Sequence, residues 1–241
     1  MKLGAVIFDL DGTLVDSEPN WFESDRRFLE RFGGTYDEEF RNECVGMGSR
    51  IFAQLVKEKF GLSQGVEELV ELKDRFYAEV ARGRTVAFPE MVKLVKAFAV
   101  EKMPMAVASG SSVPLIEMVL KETGLRDYFG PHIYSSDQVE RGKPFPDVFF
   151  HAAKKLGVIS HEVLVFEDSQ HGVEAGKAAR MKVCAVPQVW TEKGGLSLQK
   201  ADLLFRRGMA EFTAEAVLDW IDTTYCQCAD CTLYEFGRCN D

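Results

Sequence analysis

Two aspartates one residue apart, Asp9 and Asp11, directly follow the apolar run Ala5-Val6-Ile7-Phe8. The run reads as a buried β-strand, so both carboxylates fall at a strand's C-terminal end, where open α/β sheets gather their ligands. A spacing of two in extended chain points both side chains the same way. Like charges held that close raise one another's pKa unless a proton or a cation intervenes. With no His or Cys beside them, the remedy that fits is a hard, oxygen-loving ion such as Mg²⁺. Three more groups stand at the ends of later strand-like runs. Ser109 follows Met105–Ala108 and opens a Gly-Ser-Ser turn into a helix. Its hydroxyl and the N–H groups of that turn, Gly110 included, suit a phosphate oxygen, although the same residues also make an ordinary helix cap. Lys143 lies in Gly142-Lys143-Pro144-Phe145-Pro146-Asp147, a single cation in a proline-stiffened loop, and Glu167-Asp168 closes Val163–Phe166. Taken singly, each reads equally well as a cap, a surface lysine or a solvated acid pair. Together they supply a nucleophile, a phosphate anchor, a neutralising cation and a metal ligand, which is the equipment of phosphoryl transfer.

The elements that must carry these groups change in texture along the chain. Residues 15 to about 85 repeat apolar positions at helical spacing, as in Trp21-Phe22-Glu23-Ser24-Asp25-Arg26-Arg27-Phe28-Leu29, and read as helical throughout. From Pro89 onward, helical and strand-like segments alternate, which implies a parallel sheet wrapped by helices. The first strand then belongs to that sheet, and the helical segment is an insertion behind it. A chain of 241 residues that is 46% hydrophobic and 28% charged is ordinary for a globular protein with a substantial core, and no run approaches the roughly 18 apolar residues of a membrane span. The net charge of −9 argues against a nucleic-acid partner, since phosphate backbones are held by basic clusters. Small anionic substrates stay open, because a metal ion and one lysine invert the field inside a cleft. Met1-Lys2 leads straight into the first strand without the pattern of a secretory signal, so a cytoplasmic location is expected. The oligomeric state is left open.

Asp9-Leu10-Asp11-Gly12-Thr13-Leu14-Val15-Asp16-Ser17-Glu18, Ser109, Gly142-Lys143-Pro144-x-Pro146-Asp147 and Glu167-Asp168-Ser169-x-x-Gly172-Val173-x-Ala175 together resemble the haloacid dehalogenase superfamily, and within it the β-phosphoglucomutase-like phosphatases. The resemblance spans about residues 1 to 222. It implies an α/β fold with a Rossmann-like parallel-sheet core (1–14 and 86–222), an all-helical cap inserted after the first strand (15–85), and a cysteine-rich tail (223–241) beyond it. It further implies Asp9 as nucleophile, Asp11 as general acid and then general base, and Ser109 and Lys143 on the transferring phosphoryl oxygens. Mg²⁺ would be held by Asp9, the backbone carbonyl of Asp11 and Asp168, with Glu167 in or near the shell. Dehalogenating members of the superfamily lack an acid at the position of Asp11, so its presence favours phosphate esters.

The sugar mutases that this chain resembles carry a histidine at the position of Trp21. Indole cannot accept a hydrogen bond, which favours hydrolysis; Trp21 packs within the cap, covers the site with apolar surface or stacks on a sugar face. Lys73 falls where those mutases keep a substrate-contacting lysine. Specificity is expected in the cap, with Trp21, Glu43, Arg50, Lys73 and the Val45–Ser49 loop as candidates and Gly110 beside the phosphate. Arg180 replaces the glycine that ends the helix after Glu167-Asp168 in this family, at a cost of roughly 1–2 kcal/mol if the backbone there is left-handed. Cys226, Cys228, Cys231 and Cys239 offer four thiols for Zn²⁺ or an iron–sulfur cluster, or are simply unliganded. The leading expectation is a Mg²⁺-dependent phosphatase acting on a small phosphorylated metabolite, a sugar phosphate first among them. The alternatives are a sugar-phosphate mutase and a catalytically silent binding module that uses the cysteine tail.

Overall fold

In the computed structural model, which describes residues 2–44, 48–188 and 192–225, short runs of Val, Ile, Phe and Ala that are wholly shielded from water form the central strands. In chain order the strands are β1 (Ala5–Phe8), β2 (Val15–Asp16), β3 (Val86–Ala87), β4 (Met105–Ser109), β5 (Ile133–Ser135), β6 (Val163–Glu167), β7 (Lys182–Ala185) and β8 (Leu203–Leu204). Six of them make one sheet in the order β5-β4-β1-β6-β7-β8, and every pairing in it is parallel. Because helices cover both faces, β1 buries all of its residues and reads as a continuous apolar run rather than an alternating one. Val6 and Phe8 face one core layer with Phe98 and Phe166, and Ile7 faces the other with Phe149 and Val165. The Phe8 and Phe166 rings stack at 4.9 Å. This is the α/β architecture expected of the alternating pattern.

Helices α1 (Glu18–Glu30), α2 (Glu38–Cys44), α3 (Ser49–Phe60) and α4 (Val66–Ala81) form the insertion. They share a core of their own around Phe28, Phe52, Val56 and Leu69. The sheet is clothed by α5 (Pro89–Val100), α6 (Val113–Glu122), α7 (Arg126–Phe129), α8 (Asp147–Leu156), α9 (Gln170–Ala178), α10 (Glu192–Leu198) and α11 (Ala214–Tyr225). The segment that reads as helical throughout departs from that reading at its edges. The chain enters and leaves the insertion through the antiparallel β2–β3 ribbon, with Val15 opposite Ala87 and Asp16 opposite Val86. Two-residue strands leave no periodicity to read, which also hides β8. β4 and β6 each run one residue past their apolar stretch, because Ser109 pairs with Ser135 and Glu167 with Ala185 as the last rungs of the ladder. Among the described residues no helix is long and apolar enough to cross a membrane.

Behind α9 the exposed Arg180 has φ 60°. Its N–H bonds to the Lys177 carbonyl, and that of Met181 to the Gly176 carbonyl, a left-handed helix ending that favours glycine. Arg180→Gly is expected to stabilise the protein by about 0.5–1 kcal/mol, the relief of strain being partly offset by the freer unfolded chain. Thermal denaturation should show a rise of about 2 °C; a fall would mean that the arginine side chain contributes more than its backbone costs.

Candidate active site

β4, β1 and β6 lie side by side at the centre of the sheet, so the residues that leave their C-terminal ends converge. Asp9 stays in register past the end of β1, its N–H bonded to the Phe166 carbonyl at 2.9 Å. Gly12 then turns the chain with φ 79°. A β-carbon on Gly12 would lie 2.3 Å from an Asp168 carboxylate oxygen, so this glycine serves both the turn and the space for Asp168. Gly172, in the first turn of α9, has a related role: its β-carbon would lie 1.8 Å from the Glu167 carboxylate. Ser169 caps α9 by accepting from the Gly172 N–H and donates its own hydroxyl to Glu167 Oε2 at 2.9 Å.

Lys143 reaches this centre from the loop before α8, where its peptide bond to Pro144 is cis. Its ammonium donates to Asp9 Oδ1 at 2.6 Å, Glu167 Oε1 at 2.5 Å and the Ala108 carbonyl at 3.0 Å, which uses all three protons. Burial alone would discharge such a lysine, but the two carboxylates overcome that and hold its pKa above the ordinary ammonium range. The carboxylates are less well served. Asp9 is pushed well up by burial, with Glu167 and Asp11 adding to the rise and Lys143 opposing it. Asp168 is pushed up by burial and then by Glu167 and Asp9. One ammonium therefore faces an excess of negative charge. Oxygens of Asp9, Glu167 and Asp168 lie within 4.8 Å of one another, an all-oxygen donor set suited to a hard divalent cation. These oxygens thus fit the hard divalent cation anticipated at this position.

Asp11 is held separately. Its Oδ2 accepts from Ser111 Oγ at 2.7 Å and from Ser109 Oγ at 3.4 Å, and its Oδ1 accepts from the Trp21 indole N–H at 2.9 Å. Ser109 Oγ in turn accepts from the Ser111 N–H at 3.0 Å. Trp21 therefore does more than the packing, covering or sugar-stacking read from the sequence: it joins the cap to Asp11 through a donor. Its ring stacks on Tyr77 at 3.8 Å, and the Lys73 ammonium sits over it at 3.9 Å. Lys73 also pairs with Asp25 at 3.1 Å, whose carboxyl is pushed up by burial against the lowering effect of Lys73.

The structure thus brings together Asp9, Asp11, Ser109, Lys143, Glu167 and Asp168 in the core, with Trp21 and Lys73 above them. Gly110 is exposed in the β4–α6 loop, with open space where a side chain would project. Arg50 it places differently: the largely exposed guanidinium pairs with Glu67 on the cap. The Glu43 side chain, Val45–Met47 and the cysteines Cys226, Cys228, Cys231 and Cys239 lie outside the described residues. Cys44 and Cys184 are buried free thiols, and burial pushes the Cys184 pKa well up. Sequence reasoning missed Ser111 and Asp25. Ser111 was visible as the second serine of Ser109-Gly110-Ser111, whereas Asp25 was indistinguishable from the charges on the outer face of α1.

A parallel sheet with a helical insertion behind its first strand, and a lysine buried among strand-end carboxylates, defines a capped α/β protein equipped for phosphate chemistry. The chain belongs to the haloacid dehalogenase-like hydrolase family, whose model matches residues 6–186. It is 34% identical over 181 residues to a phosphorylated carbohydrates phosphatase of Thermotoga maritima, an alignment covering 73% of this chain and 81% of that protein. It is 31% identical over 180 residues to a fructose-1-phosphate phosphatase of Escherichia coli, covering 75% and 94% respectively. The fold matches the crystal structure of a HAD hydrolase of family IA, variant 3, from Entamoeba histolytica with a TM-score of 0.78, at 23% identity over 92% of this chain and 100% of that one.

Proposed function

We propose that the protein is a Mg²⁺-dependent phosphatase that hydrolyses a small phosphorylated metabolite, a sugar phosphate in the first instance, through an aspartyl phosphate on Asp9. The observation that carries this reading is that the two aspartates are held by different partners. Asp9 is paired with the Lys143 ammonium, while Asp11 is held apart by three hydroxyl and indole donors. The names of the relatives support it.

A carboxylate needs no base to become a nucleophile once its charge is supported. One Asp9 oxygen attacks phosphorus as the bond from phosphorus to the leaving oxygen breaks, and Asp11 delivers its proton to that oxygen. Asp11, now ionised, takes a proton from water as the water attacks phosphorus; the acyl phosphate opens, free phosphate leaves and the Asp9 carboxylate returns. Lys143 balances charge on the transferring oxygens while keeping Asp9 oriented through its bonds to Glu167 and Ala108. Ser109 and the neighbouring N–H groups hold the phosphoryl group from the other side. Asp9, Asp168 and the Asp11 backbone carbonyl would hold Mg²⁺, with Glu167 beside them, and would thereby supply a charge to offset the repulsion between the anionic nucleophile and the anionic substrate. The insertion, hinged at the β2–β3 ribbon, excludes bulk water during the first step.

The test is a panel of phosphate monoesters assayed for phosphate release with Mg²⁺ and with chelator. Multiple turnover with Mg²⁺, falling at least about 10²-fold with chelator, is expected. Interconversion of sugar phosphates that requires a bisphosphate activator and releases little phosphate would make the protein a mutase instead.

A further inference from the structure

The partners of Asp11 differ in what they can do with a proton. At Oδ1 the partner is the Trp21 indole N–H, 2.9 Å away, a group that donates and has no lone pair to accept with. At Oδ2 the partners are the Ser111 and Ser109 hydroxyls, at 2.7 and 3.4 Å, and a hydroxyl accepts as readily as it donates. A proton on Oδ1 would leave two hydrogens facing each other, whereas a proton on Oδ2 meets an oxygen that can turn to receive it. The indole is also fixed in place. Its ring stacks on the buried Tyr77 at 3.8 Å, and the Lys73 ammonium lies 3.9 Å from its centroid.

We infer that Trp21 is a positioning residue for proton transfer: its N–H reserves Asp11 Oδ1 as an acceptor and so places the transferable proton on Oδ2, the oxygen beside Ser109. This rests on the phosphatase reading above, in which Ser109 holds the phosphoryl group. The leaving oxygen on that phosphorus then meets the edge of Asp11 that bears the proton, and in the second step the attacking water gives its proton back to the same edge. Trp21 stands on α1 of the insertion, whereas both serines belong to the sheet domain. The placement therefore exists only while the insertion is packed over the strand ends.

The experiment is Trp21→Phe, which keeps a ring for Tyr77 and Lys73 and removes the donor. With phosphate release as readout, kcat/KM is measured for phenyl phosphate, for p-nitrophenyl phosphate, whose leaving group is a much weaker base, and for the best alkyl monoester of the panel. A misplaced proton matters most where the leaving group most needs one. The loss should be about tenfold greater for phenyl than for p-nitrophenyl phosphate and reach about 10²-fold for the alkyl ester. Adding Trp21→Phe to Asp11→Asn, which has no proton to place, should change alkyl-ester turnover by less than about threefold. Equal losses across all the esters would make Trp21 a packing residue of the cap, and a loss confined to sugar esters would make it a stacking surface for the sugar; either overturns the inference. If the wild type cleaves alkyl but not aryl esters, the Asp11→Asn background decides, and a loss that persists there overturns it. If no monoester is cleaved, the phosphatase reading itself has failed and this inference goes with it.

Discussion

Asp9→Asn is expected to reduce phosphate release by at least about 10⁴-fold, into the range reached when a covalent nucleophile is removed from other enzymes. An amide has no charge to offer phosphorus at neutral pH, and no neighbour substitutes for it. Asp11 is turned towards Trp21 and Ser111, and Glu167 is fully buried and bonded to Lys143 and Ser169. The fold should survive the change. Asp9 is pushed up chiefly by burial, with two acidic neighbours adding to it, so a neutral isostere removes a repulsion along with an ion pair. The melting temperature without metal is therefore expected to stay within a few degrees of wild type. Residual turnover above about one per cent, measured on protein whose melting curve is intact, would remove Asp9 from the nucleophile's role.

The parts of this arrangement that were legible in the sequence are those where one residue type at one spacing has few physical meanings. A wholly apolar run ending in Asp-x-Asp is a buried strand with charges at its tip, and β1 with Asp9 and Asp11 matches that. Alternation of such runs with amphipathic segments announced a parallel sheet, and the break in alternation announced the insertion. What stayed hidden depends on contacts between residues far apart in the chain. Trp21 and Asp11 meet only because α1 packs back over the strand ends, and an indole N–H has no pattern that predicts its acceptor. Asp25 lies among Glu23, Arg26 and Arg27, and nothing local distinguishes the buried charge from the exposed ones. The β2–β3 ribbon is too short for any period. Family likeness located Lys73 but not its partner, because pairing is a property of packing rather than of the lysine.

Lys143→Met should injure both catalysis and stability, and the two effects can be separated. Without the ammonium, Asp9, Glu167 and Asp168 remain as neighbouring acids with oxygens within 4.8 Å of one another and their strongest counter-charge gone. Breaking a buried ion pair from one side typically costs about 3–5 kcal/mol, since the surviving charge stays desolvated. Metal-free protein is therefore expected to melt roughly 10 °C lower, from the usual scaling for a chain of this size. Adding Mg²⁺ should recover part of that loss, because the carboxylates left without a lysine bind a cation in the folded state only. Activity should not recover with it. The transferring oxygens have lost the positive charge beside them, worth about 10²–10³-fold in comparable sites, and Asp9 has lost the contact that aims it. Adding Glu167→Gln to the same chain removes the second acid that faced Lys143 and should return stability without returning turnover. If the double variant were as unstable as the single one, Lys143 would be holding the loop before α8 rather than balancing the carboxylates. If turnover came back with stability, its contribution to phosphoryl transfer would be scaffolding alone.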